Sequence, residues 1–179
     1  MIHHCGVKMT VFRYTSDNSH TYQHNACISL LTDALCRAGL PVSEENIYKD
    51  ENGKPFLDCP PYNISLSHCK GLICCMFSST PCGIDCEAIR STKRHERVIR
   101  RVFTNEEQDI IYSAPDPDRE FTRLWTLKEA YVKMTGTGIA DISSIPFAYI
   151  HREMECYGAR FCTYFLEGHI ISTAVKTEP

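Results

Sequence analysis

A chain of 179 residues, 43% apolar and 23% charged, is long enough to bury a substantial core as one compact domain. Its 19 Lys and Arg against 22 Asp and Glu give a formal net charge of -3, which argues against a sequence-independent nucleic-acid binder and leaves any basic function local. The longest apolar runs, such as residues 71–77, fall far short of the roughly 20 residues a membrane helix needs, so no membrane partner is expected.

The opening Met-Ile-His-His-Cys-Gly-Val-Lys has no basic segment followed by an apolar core and a cleavage site, and a cytoplasmic protein is expected. Residues 7–14 alternate as a strand, and a polar stretch follows at 15–25. Ala26, Cys27, Leu30, Leu31, Ala34, Leu35 and Ala38 then recur at three and four, the stripe of an amphipathic helix that Gly39 and Pro41 stop. Residues 50–62 read as a shaped loop in which Gly53 allows positive φ. Strands are expected at 72–78 and 82–87, joined through Ser79-Thr80-Pro81 with hairpin spacing. A helix at 90–102 follows, and Thr104-Asn-Glu-Glu107 has the form of a capping box opening a second. Asp116-Pro117 opens a third and strongest helix, carrying Phe121, Leu124, Trp125, Tyr131 and Val132 and ending near Gly136. Strands at 146–151, 160–166 and 169–175 complete an α+β pattern, the last two joined at Glu167-Gly168. The 11 cysteines are odd in number, several lie in apolar runs, and none form a C-x-x-C pair. Buried reduced thiols are therefore expected in place of a disulfide framework or a zinc finger.

Three segments could do chemistry. In Gly83-Ile-Asp85-Cys-Glu87 the carboxylates stand at i and i+2 on a strand and share one face, a repulsion that a cleft tolerates only with a cation such as Mg2+. In Trp125-Thr-Leu-Lys128-Glu129-Ala-Tyr-Val-Lys133, Glu129 neighbours both Trp125 and Lys133 on the helix surface. Glu129 there is either half of an ordinary ion pair or a third metal ligand, with Lys133 a clamp on a phosphate. Ser67-His68 offers two donors to a phosphate oxygen just ahead of a strand.

Taken jointly, Gly-Lys-Pro at 53–55, Ser-His at 67–68, Gly-Ile-Asp-x-Glu at 83–87 and Trp-x-x-Lys-Glu-Ala-x-x-Lys at 125–133 resemble the 4'-phosphopantetheinyl transferases. The likeness runs over residues 26–175 and is best to the monomeric, surfactin-synthetase-activating type, whose substrates are carrier domains. It implies a pseudodimer of two similar α/β halves with antiparallel sheets. Residues 1–80 would carry the coenzyme A-binding loops, and 81–179 the metal-binding catalytic helix and the carrier-docking surface.

By the same resemblance, Asp85, Glu87 and Glu129 would bind Mg2+, or Mn2+ in its place, beside the coenzyme A diphosphate. Lys133 would contact a phosphate and Glu129 would be the general base. Ser67 and His68 would hold coenzyme A phosphates, and Lys54 and Pro55 would border the adenine. Lys128 would either reach the phosphates or pair with Glu107. Basic residues that relatives present early in the chain for the 3'-phosphate are not aligned here, and Lys8, Arg13 and His24 are the candidates to replace them. The expected reaction moves phosphopantetheine from coenzyme A to a serine of an apo carrier protein, acyl, peptidyl or polyketide, and releases 3',5'-ADP. The carrier would dock on residues 90–101, which hold six basic side chains against one acid. Two rivals stand beside this reading: a Mg2+-dependent phosphodiesterase or nuclease, and a non-catalytic module that binds coenzyme A or a carrier.

Overall fold

In a computed structural model, which describes residues 8–40, 42–50, 54–137, 147 and 153–177, the apolar run at 72–78 is the pivot of the chain. Strand β5 (Leu72–Ser78) is buried along its whole length because it faces two cores at once. Ile73, Cys75 and Phe77 pack with the stripe Cys27, Leu30, Leu31, Ala34 and Leu35 of helix α1 (His20–Arg37). Leu72, Cys74 and Met76 face the other way, against Cys82, Ile84 and Cys86. Such two-sided burial is why the run reads apolar without alternation.

Strand β1 (Lys8–Tyr14) and strand β4 (Asn63–Cys69) flank β5 in an antiparallel sheet of order β1-β5-β4. A short pair, β2 (Ile47–Lys49) and β3 (Pro55–Leu57), stands beside it. The second sheet has the order β6-β9-β8-β7, built from β6 (Cys82–Ala88), β7 (Glu153–Cys156), β8 (Ala159–Leu166) and β9 (His169–Lys176). Helices α2 (Glu96–Val102), α3 (Asn105–Ser113) and α4 (Pro117–Thr135) lie between β6 and β7 in the chain. Each half runs from one strand through helix into further antiparallel strands, and in each the first strand pairs with the last: β1 with β5, β6 with β9. The molecule is thus an α+β pseudodimer of two related antiparallel units.

The expected hairpin between 72–78 and 82–87 does not form, because β5 and β6 belong to different sheets. What joins the halves is β4 against β6, and the connection uses side chains. The Ile84 amide donates to Ser65 Oγ at 3.1 Å and the Cys86 amide to Ser67 Oγ at 3.2 Å. Two serines two residues apart on one edge strand thereby satisfy alternate amides of the other edge, which burial would otherwise leave costly.

Helix α1 starts at His20, inside the stretch expected to be polar connection. Gln23 is buried there and donates to the Cys69 carbonyl at 2.7 Å, a tertiary anchor that the apolar periodicity does not reveal. The expected helix at 90–102 is divided into a 3-10 turn at Thr92–Arg94 and α2. The capping box at Thr104 and Glu107, the Asp116 cap on the Arg119 amide and the left-handed Gly136 (φ 75°) close α3 and α4 as expected. Gly53 and, apart from Phe147, the strand expected at 146–151 lie outside the described residues.

Candidate active site

Alternation along β6 sends Ile84 and Cys86 into the seam between the sheets, which leaves Gly83, Asp85 and Glu87 on the opposite face. Helix α4 lies on that face. A Cβ at Gly83 would stand 2.0 Å from the Ala130 carbonyl oxygen and 2.6 Å from the Met134 amide nitrogen. Only glycine permits so close an approach, and the approach brings the next turns of α4 over the two carboxylates. Trp125, Glu129 and Lys133, four apart along α4, line one cavity with Asp85 and Glu87. The cavity, of about 540 Å³, lies between the halves, with Ser67 and His68 of β4, Lys49 and Pro55 of the short pair and His20 and His24 of α1 on its other walls.

Lys133 Nζ donates to Asp85 Oδ1 at 2.7 Å and reaches the Leu66 carbonyl at 3.5 Å. Ser67 Oγ donates to the same Asp85 oxygen at 2.8 Å. The other oxygen, Asp85 Oδ2, is buried without a hydrogen-bond partner. Burial pushes the Asp85 carboxyl up, against the opposing pull of Lys133 and Ser67. Burial by itself would lower the Lys133 ammonium, but the charge and hydrogen bond of Asp85, with Cys74 and Cys86, together outweigh it and the group is held above its ordinary value. Glu87 is raised to about 7 by burial and by Asp85, although Arg90 pairs with it at 3.2 Å. Glu129 is raised as well, by burial and then by Asp85, and its carboxylate has no hydrogen-bond or ion-pair partner among the described residues. Arg90 also lies over the Trp125 ring, 5.2 Å from its centre.

At the end of the cavity formed by β6 and α4, three carboxylates thus share a desolvated space with two cations, Lys133 and Arg90, with Lys49 on the far wall, and all three are pushed toward their neutral forms. That imbalance, together with the orphaned Asp85 oxygen, fits a hard divalent cation, because an added positive charge would restore all three to the ionised form. Among the described residues no three or more His, Cys, Asp or Glu side chains stand close enough together to form a ready-made metal site. Mg2+ does not need one, since it keeps waters and takes substrate phosphate oxygens beside one or two carboxylates.

The expected site residues divide. Asp85, Glu87, Glu129, Lys133, His68, Ser67 and Pro55 all line the cavity. Ser67 does so with its only hydroxyl proton already directed to Asp85 and its lone pair to the Cys86 amide. It therefore positions Asp85 and has no donor left for a phosphate. Lys54 does not line the cavity; its ammonium reaches the Met134 carbonyl at 3.5 Å. Lys128 departs furthest from the phosphate role. It is 1% exposed and paired at 3.0 Å with a fully buried Glu107, because one residue along a helix is a turn of about 100° and carries it from the cavity into the core. Of the three candidates early in the chain, His24 lines the cavity, Arg13 reaches Asp33 at 3.9 Å, and the Lys8 side chain is outside the described set. His20, Lys49, Arg90 and Trp125 join the lining without having been singled out as ligand contacts. The i,i+4 spacing of His20 and His24 was the available signal, hidden because that stretch reads as a polar connection.

Residues 81–171 match the family model of the 4'-phosphopantetheinyl transferase superfamily. The chain is 40% identical over 87 residues to the 4'-phosphopantetheinyl transferase HetI of Nostoc sp., covering 47% of this chain and 37% of that one. It is 33% identical over 144 residues to the L-aminoadipate-semialdehyde dehydrogenase-phosphopantetheinyl transferase of Saccharomyces cerevisiae, covering 73% and 53%. To the 4'-phosphopantetheinyl transferase Sfp of Bacillus subtilis it is 29% identical over 128 residues, covering 66% and 56%. The chain spans about half the length of the curated relatives it matches.

Proposed function

The chain belongs to the 4'-phosphopantetheinyl transferase superfamily, and from that premise we propose that it transfers 4'-phosphopantetheine from coenzyme A to a serine of an apo acyl, peptidyl or polyketide carrier, releasing 3',5'-ADP. The observation that carries the reading is the convergence of Asp85, Glu87 and Glu129 with Lys133 on one cavity, where an Asp85 oxygen is buried without a partner. Asp85, Glu87 and Glu129 are the residues that would hold Mg2+, or Mn2+ in its place. When bound, the ion supplies positive charge to the diphosphate oxygens as the phosphorus-oxygen bond breaks.

The chain's own groups do the rest. Lys133, kept protonated by Asp85, offers the diphosphate a fixed positive charge. Ser67 fixes the Asp85 carboxylate by donating to the oxygen that Lys133 also holds. Glu129, raised above an ordinary carboxylate and without a partner among the described residues, is placed to take the proton of the attacking serine hydroxyl. Trp125 and Arg90 wall the side on which the carrier would enter, next to the basic segment where Lys93, Arg94, Arg97, Arg100 and Arg101 are exposed. Ile99 of that segment and Val102 and Phe103 just beyond it are buried in the core, so docking there would draw on its charge and not on an apolar patch.

Both halves of the cavity come from one chain, which supports action as a monomer. No disulfide joins the ten described cysteines, and among the described residues no helix is long and apolar enough to cross a membrane. The thiols support a reducing compartment, the cytoplasm. Incubation with coenzyme A, Mg2+ and an apo carrier domain, followed by mass spectrometry of the carrier, tests the proposal. The expected result is the gain of one phosphopantetheine group, abolished in a folded Glu129→Gln variant. An unmodified carrier, or cleavage of nucleic acid in its place, would overturn it, and full turnover by Glu129→Gln would remove that residue from the mechanism.

A further inference from the structure

Three thiols meet where the two halves join. Ser65 and Ser67 of β4 take the Ile84 and Cys86 amides of β6, and Cys69, the next alternate residue, continues the series by taking the Ala88 amide on its sulfur. That position brings the Cys69 thiol to Cys86. The Cys86 sulfur accepts hydrogen bonds from the thiols of Cys69 and of Cys74, a residue of β5 paired with Ser67. Cys74 and Cys86 belong to one apolar cluster, with Cys69 packed against it. Cys86 also lines the cavity, and in the chain it stands between Asp85 and Glu87. Cys74 is fully buried, whereas Cys69 is half-buried. As packing, a sulfur held against another sulfur offers little that an aliphatic side chain would not, but it adds a reactivity that no aliphatic side chain has.

We propose that Cys69 and Cys86 form a peroxide-sensitive dithiol whose oxidation staples β4 to β6 and reversibly switches the active site off. The Cys86 sulfur, at the cavity wall, attacks one oxygen of hydrogen peroxide. The oxygen-oxygen bond breaks, a sulfenic acid forms, and the thiol proton leaves with the other oxygen as water. The Cys69 sulfur then displaces the sulfenic hydroxyl, which departs with the second thiol proton as a second water while the sulfur-sulfur bond forms. Two electrons pass from the sulfurs to the peroxide, and a reducing thiol returns them by exchange. Cys69 is the partner in preference to Cys74 because a half-buried sulfur can be reached by that thiol. Hydrogen-bonded sulfurs must close to about 2.05 Å to bond, a movement shared by the strands that carry Ser67 and Asp85. Ser67 Oγ holds both Asp85 Oδ1 and the Cys86 amide, so the shift reaches the carboxylate. A displacement of about 1 Å in such machinery costs on the order of a hundredfold in rate. The loss of activity rests on the transferase reading, whereas the bridge itself does not.

Treating the full chain with a slight molar excess of hydrogen peroxide tests the proposal, followed by alkylation of the remaining thiols, trypsin digestion and mass spectrometry. Cleavage after Lys70 separates the two cysteines. The expected product is therefore the peptide ending at Lys70 joined to the peptide ending at Arg90, with fragmentation placing the link between Cys69 and Cys86. A Cys74–Cys86 bridge would stay inside the second peptide, and that result, or unlinked peptides, would overturn the pairing. Phosphopantetheine transfer should fall at least about tenfold in the oxidised chain and return with dithiothreitol. Cys69→Ser keeps an acceptor for the Ala88 amide, so the variant should fold and transfer at the wild-type rate, and the same peroxide dose should leave most of its activity. Equal losses in wild type and variant, or undiminished transfer by a fully bridged chain, would overturn the switch. Formation of the bridge in a chain that transfers nothing even when reduced would instead count against the transferase reading.

Discussion

Lys128 and Lys133 leave the same helix less than two turns apart, and each meets a carboxylate brought by another element. Their surroundings differ in every other respect. Around Lys128 and Glu107 everything is closed, with exposures of 1% and 0%. Glu107 Oε1 also accepts the Phe147 amide at 2.7 Å, its Oε2 accepts the Thr104 amide at 2.8 Å, and the ammonium lies over the rings of Phe103 and Phe147. Around Lys133 and Asp85 the cavity is open, with exposures of 30% and 8%, one carboxylate oxygen has no partner, and two further acids crowd in. A buried ion pair whose carboxylate oxygens both have partners holds structure together, whereas one left short of partners is poised to accept a ligand.

The sharpest way to break this contrast is to remove each lysine in turn. Lys128→Met strands a fully buried carboxylate and is expected to lower unfolding free energy by about 3–5 kcal/mol. Lys133→Met strands a carboxylate that burial already drives toward protonation, so its stability loss should be less than half as large. Transfer activity should nevertheless fall by at least about a hundredfold, about 2.7 kcal/mol in the barrier. Urea melts and single-turnover assays on both variants check the pair. A larger stability loss for Lys133→Met would show that the open pair, too, is a structural device.

A smaller effect is expected where the open pair is assembled. Gly83→Ala introduces a methyl group that the Ala130 carbonyl and Met134 amide cannot accommodate, and the cost should be about 2–3 kcal/mol as α4 lifts from β6. The Lys128–Glu107 contact, between α4 and α3, should survive, while the Lys133–Asp85 contact lengthens and activity falls. Denaturant midpoints with an activity assay measure both, and wild-type turnover in a folded Gly83→Ala protein would show that this approach does not set the site.

The same comparison marks how far the sequence could be read. Asp85 and Glu87 could be placed on one face because strand alternation is local, and Glu129 with Lys133 because helix spacing is local. The partner of Lys128 was open, since both the phosphates and Glu107 lay within reach of its side chain, and only the packing of α3 on α4 decides between them. The serines of β4 illustrate the opposite limit. Ser65 and Ser67 look like ordinary polar residues at alternate positions, and their work as acceptors for β6 amides depends on two sheet edges meeting. The hairpin expected from residues 72–87 failed for a related reason, as the short connection specifies proximity but not which sheet each strand joins.

Glu87 sharpens the contrast by a different route, because its charge opposes folding. Its ordinary value of 4.5 is raised to about 7 in the folded chain, so between those values the native state binds more proton than the unfolded one. Stability contributed at this position therefore declines as pH rises from about 4.5 toward about 7, the reverse of a carboxylate whose pKa is depressed by a salt bridge. Glu87→Gln keeps the shape of the protonated acid and cannot ionise. Without divalent cation the variant should match the wild type near about pH 4.5 and exceed it at about pH 8 by on the order of 2 kcal/mol, after allowance for the solvent that reaches a side chain 26% exposed. Urea unfolding at the two pH values measures the gap, and parallel curves would show that Glu87 is not held against its charge. Added Mg2+ should stabilise the wild type at about pH 8 and close the gap, because a bound cation makes ionised Glu87 favourable. No such closing is expected around Glu107, whose negative charge is already met within the fold.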